Sequence, residues 1–315
     1  MDKNKGTAPH VPVLLEAVLE GLRIRPDGTY IDGTLGRGGH SREILQRLGP
    51  EGRLIAIDRD PDAVREAGEP FSTDARVEIV RGEFGELDSI VGERQLRGDI
   101  DGILLDLGVS SPQLDRAERG FSFRHDGPLD MRMDPDHGQS AARWLAAVTE
   151  QELRRVLHIY GEEKSARRIA AAIVSTREST PIESTAALAS VVESVVPRRG
   201  ARIHPATRTF QAIRMLINDE LGQLERALAA VIDGLAAGGR LCVISFHSLE
   251  DRIVKRFLRD SSRVSEAYRG LPNVPAEHRA RLALVGKPHV ADDAEIERNP
   301  RSRSARLRIA ERLAS

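Results

Sequence analysis

Two strand-to-loop junctions limit what this chain can fold into more than any other feature. The first is TYIDGTLGRGGH, from Thr29 to His40, and the second is RLIAIDRD, from Arg53 to Asp60. Each is a short β-prone run ending in an acid, and the first runs on into glycines that open a helix-forming stretch. A doubly wound sheet builds a nucleoside site at its carboxyl edge in this way. Similar runs follow at Val77 to Val80 and Ile103 to Asp106. Val13 to Leu22 reads as an amphipathic helix and Ser41 to Leu48 as another. Helix and strand signals that alternate like this predict βαβ units and a parallel sheet.

The residues at the two junctions suggest a ligand. Gly36, Gly38 and Gly39 let a backbone approach a bound molecule without Cβ interference. Asp32, just before them, can accept from a ligand ammonium, and Asp58 can accept both hydroxyls of a ribose. A molecule that joins an amino acid to a nucleoside is S-adenosylmethionine, so the pattern reads as a methyltransferase. A nicotinamide fingerprint would need its third glycine where Ser41 stands, and the chain has no second nucleotide-binding half. The plainer readings are a glycine-rich turn without a ligand and an Asp58 that only caps the helix opening at Pro61.

Sheet-like sequence stops after Asp106. From Ser140 to Val196 the pattern is helical, with Ala, Leu and Arg at 3.6-residue spacing. Thr149 to Glu152 has the form of a capping box. A buried parallel strand returns between Gly238 and His247, where the near-continuous apolar run suits a strand covered on both faces. Ala305 to Ala310 alternates and suits an edge strand of the same sheet. The economical arrangement is one sheet interrupted between its fourth and fifth strands, since loop-closure entropy grows only slowly with insert length. We therefore expect an α/β, doubly wound methyltransferase sheet with an inserted helical domain. Residues 1–113 and 212–315 would form the sheet domain, and 114–211 an inserted recognition loop and helical domain. Arg259 to His278 is polar and mixed and reads as a mobile surface loop.

Charge and cysteine content remove several classes. The net charge is −1, so any RNA-binding surface must be a local patch. The one cysteine, Cys242, sits in an apolar run, reads as a core residue, and excludes both an internal disulfide and a cysteine-ligated radical cluster. It is also at the wrong strand position for a covalent attack on a substrate ring, which excludes methylation of a ring carbon by that route. Met1 to His10 lacks a signal-peptide core, and no apolar stretch approaches the ~20 residues that span a bilayer. No membrane partner is expected, and the expected location is the cytoplasm. The sequence leaves the oligomeric state open.

Longer strings carry a family resemblance. DGTLGRGGHS from Asp32, DGILLDLGVSSPQ from Asp101, RGFSF from Arg119, DGPLDMRMD from Asp126, HPATRTFQ from His204 and SFHSLEDR from Ser245 recur in this order. Together they resemble the bacterial small-subunit ribosomal RNA cytosine-N4 methyltransferase family, from about His10 to the C-terminus. The resemblance implies S-adenosylmethionine as donor. As acceptor it implies the exocyclic N4 of a cytidine in the decoding centre of 16S ribosomal RNA, within the small ribosomal subunit. It also places donor-binding residues at Gly38, Gly39, His40, Asp58, Phe84, Asp106 and Gln113. Phe84 follows the third strand, where an aromatic face can cover an adenine or simply fill a core. A different class of function, a ribosome-assembly factor that keeps the donor fold without catalysis, is the competing reading.

The chemistry asks for a grip on the acceptor, because the N4 lone pair of cytosine is delocalised into its ring. Amino-methylating DNA enzymes place a D/N/S-P-P-aromatic loop after the fourth strand. Here the loop reads DLGVSSPQ, from Asp106 to Gln113, with no second proline and no aromatic. Asp106, Ser110 and Ser111 are the candidate acceptors of the amino hydrogens. Phe121 and Phe123 either stack on an unstacked base or anchor their loop to the core. Arg198, Arg199, Arg202, His204 and Arg208 form a basic cluster that either binds phosphate or is merely solvated. No metal is expected: His247 and Asp251 can share a helix face but suit local capping and pairing better.

Overall fold

The computed structural model describes residues 12–196 and 204–314, apart from the side chain of Glu277. It divides into two compact units, one of Met1–Gly108 with Gly222–Ser315 and one of Val109–Leu221.

The first unit is built on a sheet of eight strands: β1 (Thr29–Asp32), β2 (Arg53–Asp58), β3 (Val77–Arg81), β4 (Ile100–Asp106), β5 (Leu235–Ser245), β6 (Leu282–Leu284), β7 (His289–Val290) and β8 (Arg306–Arg312). Their order is β3-β2-β1-β4-β5-β8-β6, with β7 also paired to β8. The first five strands run parallel, and Asp32 lies beside Ala56 on one side and Leu104 on the other. From β1 the chain winds out to β3 and then crosses back to β4. The carboxyl ends of β1 and β4 therefore flank the point where the winding reverses, which is where open α/β sheets bind ligands.

Alternation along the strands feeds two cores. Ile103 and Leu105 face one, with Leu87, Leu224, Leu228 and Val254; Leu104 faces the other, with Tyr30, Val18, Ile44 and Cys242. Both faces are covered, so the strands read as continuous apolar runs. The covering helices are α1 (Leu15–Leu22), α2 (Gly39–Arg47), α3 (Pro61–Gly68) and α4 (Leu87–Glu93).

The last strand departs from expectation. β8 is not an edge: it pairs antiparallel with β5 on one side and with β6 and β7 on the other. Leu307 and Ile309 enter one core while Ala310 enters the other, so both of its faces are packed. The alternation of Arg306, Arg308 and Arg312 with apolar residues mimics a half-exposed strand. Arg308 is in fact paired with Asp251 at 2.8 Å.

The second unit holds α5 (Ser111–Asp115), α6 (Ala141–Ala147), α7 (Glu150–Ile159), α8 (Ala166–Ser179), α9 (Thr185–Val195) and α10 (Thr207–Ile217). Its own core gathers Trp144, Leu157, Ile169, Ile173, Leu188 and Phe210. Thr149 Oγ1 accepts the Glu152 N–H at 3.2 Å and so starts α7. The division falls after Gly108 and Leu221, not after 113 and 211. Ala212 and Ile213 of α10 are fully buried in the helical core, which ties that helix to the second unit.

The return to the sheet is α11 (Glu220–Gly234), followed after β5 by α12 (Ser248–Ser261) and after β7 by α13 (Asp293–Arg298). The segment read as a surface loop from Arg259 begins inside α12 and contains two 3-10 turns, at Glu266–Tyr268 and Ala276–His278.

Candidate active site

Asp32 organises the glycine loop. Its carboxylate is 1% exposed, with Oδ2 accepting from Ser41 Oγ at 2.7 Å and Oδ1 from Thr34 N at 3.1 Å and Thr34 Oγ1 at 3.3 Å. The hydroxyl oxygen of Thr34 also accepts the N–H of Asp106 at 2.8 Å, which stitches the end of β1 to the end of β4. Ser41, which breaks the nicotinamide fingerprint, is thus a structural partner of Asp32. Sequence reading gave Thr34 no role and Ser41 only that of breaking the fingerprint. The Asp-x-Thr spacing, which favours a side chain turning back on its own backbone, was the available signal for Thr34.

The glycines have distinct tasks. Gly36, at φ +51°, donates its N–H to Asp58 Oδ2 at 2.8 Å, so the loop reaches across to the end of β2. Gly38, at φ +69°, caps α2, and a Cβ there would meet Phe71 at 2.9 Å. A Cβ on Gly39 would strike Pro12 Cγ at 2.5 Å. The first two positions favour glycine by conformation and the third requires it for lack of room.

Asp58 accepts a second backbone N–H, from Asp60 at 2.9 Å, and the helix cap at Pro61 falls to Asp60, which accepts from Asp62 N. Asp58 therefore does not cap that helix. Burial pushes its carboxyl up to about 6, against the two hydrogen bonds and with help from Asp60 and Asp32.

His40 is buried on α2. Its Nε2 lies 3.1 Å from the carbonyl oxygen of Val13, which can only accept, so Nε2 carries hydrogen. Nδ1 faces Asp106 Oδ2 at 3.6 Å. Asp106 Oδ1 is buried and has no hydrogen-bond partner among the described residues. Burial first, then the carboxylates of Asp32 and Glu250, raise the Asp106 carboxyl well above its ordinary value. An unsatisfied acceptor between two other acids suits a cationic or amino-bearing ligand. Phe84 opens the turn after β3, half-buried, and a Cβ on Gly33 would lie 3.4 Å from its Cβ. Asp32, Gly36, Gly38, Gly39, His40, Asp58, Phe84 and Asp106 thus all belong to the sheet unit, at or just beyond the carboxyl ends of β1 to β4.

The end of β5 adds groups that sequence reading did not place here. Glu250, 2% exposed, accepts from the N–H groups of Phe246 and His247 at 2.8 and 3.3 Å, while His247 Nδ1 accepts from Glu250 N at 3.4 Å. His247 is a helix cap and Asp251 an ion-pair partner of Arg308. Cys242 is fully buried in β5, and burial pushes its thiol up, which leaves it inert as a nucleophile.

In the helical unit, Ser110 and Gln113 form a capping box at the start of α5, with Ser110 N donating to Gln113 Oε1 at 2.9 Å, and Ser111 is buried beside them. Phe121 is 5% exposed, so its ring is taken up by packing. Phe123 packs on Phe210 and His204, with ring centroids 4.8 and 4.5 Å apart. Phe121 is thus buried, while Phe123 stays half-buried against the helical core. Arg119 ties the same segment down by donating to the carbonyls of Arg132 and Met133. Arg208 is exposed, donating to the carbonyl of Glu162 at 3.3 Å. Arg198, Arg199 and Arg202 lie outside the described residues.

A glycine loop pinned by one strand-end acid, a second acid at the next strand end and a third at the switch point define a methyltransferase-type nucleoside-binding α/β fold. Residues 7–313 match the model of the MraW methylase family, and the chain belongs to that family. A protein named ribosomal RNA small subunit methyltransferase H from Thioalkalivibrio sulfidiphilus is 56% identical over 311 residues, covering 98% of this chain and 99% of that one. Its namesake from Methylococcus capsulatus is 57% identical over 303 residues, covering 96% and 100%. That from Xanthomonas euvesicatoria is 56% identical over 310 residues, covering 97% and 89%.

Proposed function

We propose that this protein transfers the methyl group of S-adenosylmethionine to the exocyclic N4 of a cytidine in the decoding centre of 16S ribosomal RNA, in the cytoplasm. The observation that carries the reading is the orphaned, buried Oδ1 of Asp106 at the switch point of the sheet, beside His40 and the glycine loop. Asp58 receives the ribose hydroxyls, Phe84 covers the adenine, and Gly36, Gly38 and Gly39 let the backbone approach the donor. Family membership and the names of the relatives support a ribosomal RNA substrate of the small subunit.

In the chemical step the N4 lone pair attacks the methyl carbon and the carbon–sulfur bond breaks, its electron pair returning to sulfur. The neutral thioether of S-adenosylhomocysteine leaves, and the methylated N4 sheds one proton. Asp106 is the base placed to take it: a carboxylate crowded by Asp32 and Glu250 holds a proton more readily than an exposed one. Holding the amino group in line with the methyl is worth about 7–11 kcal/mol in well-oriented systems, so positioning supplies most of the rate. The reading is tested by mapping nucleosides of 16S ribosomal RNA by mass from a strain lacking the protein. N4-methylation at one decoding-centre cytidine is lost and returns with the wild-type gene. Unchanged N4-methylation in the deletion strain would contradict it.

A further inference from the structure

The outer face of α12 carries a stripe of cations that the donor site does not use. Arg252, Lys255, Arg256 and Arg259 are exposed at helical spacing, and Arg263 follows one turn on. The opposite face, with Leu249, Val254 and Leu258, is buried. Between residues 252 and 281 the sequence holds eight Lys and Arg against three Asp and Glu, in a chain whose net charge is −1. The segment beyond the helix folds back on it: Ser265 N donates to His278 O at 3.0 Å and Arg281 N to Ser261 O at 2.8 Å. These bonds return Arg279 and Arg281 to the carboxyl end of α12. They also form the loop in which Tyr268 and His278 stack, 4.2 Å apart.

Ordinary structural causes account for part of this. Arg256 meets Glu225 at 3.1 Å and Arg259 meets Asp260 at 2.7 Å, both between exposed partners, and pairs of this kind contribute little. Lys255 and Arg263 have no ion pair among the described residues. Arg259, with Arg256 and Arg263 nearby, holds the Asp260 carboxyl below the usual carboxylate range. The helix dipole rewards cations only in the last turn, so it does not account for Arg252, Lys255 and Arg256. Four cations within about 10 Å of helix axis are a concentration of charge complementary to a polyanion. The helix begins at Ser248, directly after the carboxyl end of β5, so the stripe starts at the edge of the sheet that carries the donor site.

We infer that the outer face of α12, from Arg252 to Arg263, is a docking surface for the phosphate backbone of the RNA substrate, and leads it toward the carboxyl edge of the sheet. The assignment rests on the reading of the substrate as small-subunit ribosomal RNA. Phosphate contacts position without reading sequence, so the stripe sets affinity and its salt dependence and leaves the choice of base to the site.

The test uses the full chain and two probes, a naked decoding-centre fragment of 16S ribosomal RNA and assembled small subunits lacking the modification. Arg256→Gln, Arg259→Gln and Arg263→Gln combined should lower the slope of log affinity against log salt for the fragment by about 2, at about 0.7 for each phosphate no longer neutralised. Donor affinity should stay within twofold. Asp260→Asn is the opposite arm: removing the one acid of the stripe should tighten RNA binding about threefold at low salt. Failure of the triple variant to fold therefore leaves a gain to be measured. An unchanged slope in a folded triple variant, or no tightening with Asp260→Asn, would overturn the assignment. So would a triple variant that binds the naked fragment normally but fails on assembled subunits, because the stripe would then meet a ribosomal protein. Binding is read without turnover, so the slope judges the stripe whichever nucleoside the wild-type protein makes.

Discussion

At the end of β2, Asp58 accepts two backbone N–H groups, yet burial still lifts its carboxyl to about 6. The ligand-free fold therefore takes up a proton on this side chain near pH 6, where the unfolded chain waits until about 3.8. Between those values the native state binds more protons, so this group's contribution to stability falls as pH rises through the window. On the proposed assignment ribose hydroxyls donate to the ionised form, so donor binding has the opposite sense. Affinity for S-adenosylmethionine should be level above pH 6 and weaken below it, by at most tenfold per pH unit, and Asp58→Asn should remove the dependence. Calorimetry across pH 5 to 8 checks this. Asp106 gives a second prediction. Asp106→Asn removes the proposed base while nearly keeping its shape, so single-turnover methylation at saturating donor should fall at least tenfold, the equivalent of about 1.4 kcal/mol. A normal single-turnover rate would move the proton to another group.

Among the elements, β8 separates two expectations most clearly. An edge strand would tolerate truncation of its side chains, but Leu307 is fully buried in a strand paired on both sides. Leu307→Ala should cost about 2–5 kcal/mol, read from denaturant midpoints. A loss under 1 kcal/mol would mean the strand is not interior. The same strand shows where sequence reading stopped. β2, β4 and β5 were legible because strands covered on both faces are apolar at nearly every buried position, and Leu104 and Leu105 serve opposite cores. β6 and β7 were not, since three and two residues are too short for any period to show. In β8 the paired Arg308 passed for a solvent-facing residue. At the site, the strand-end acids and glycines were visible as residue types at element boundaries. The bonds from Thr34 to Asp32 and Asp106 differ in reach: the first is local, while the second joins positions far apart in sequence, and no local pattern announces it.

For the whole molecule, the two units each carry a core of their own, which predicts partial independence. The excised segment from Val109 to Leu221 buries Leu157, Ile169, Ile173, Leu188 and Ile213 completely among its own helices. It should fold alone, giving a cooperative melt by circular dichroism that S-adenosylmethionine leaves unmoved. Donor at a hundred times its dissociation constant should stabilise the full chain by about 2.7 kcal/mol, the shift expected of a ligand that binds only the native state. A non-cooperative melt of the segment would show that its core is incomplete by itself. The atom that receives the methyl group distinguishes this enzyme from other RNA methyltransferases. The most direct measurement incubates purified protein with S-adenosylmethionine deuterated on the methyl and with small subunits lacking the modification, then digests the RNA to nucleosides for mass spectrometry. The label is expected on N4 of a single decoding-centre cytidine. Label on carbon 5 or on a ribose 2′-oxygen, or no transfer at all, would contradict it.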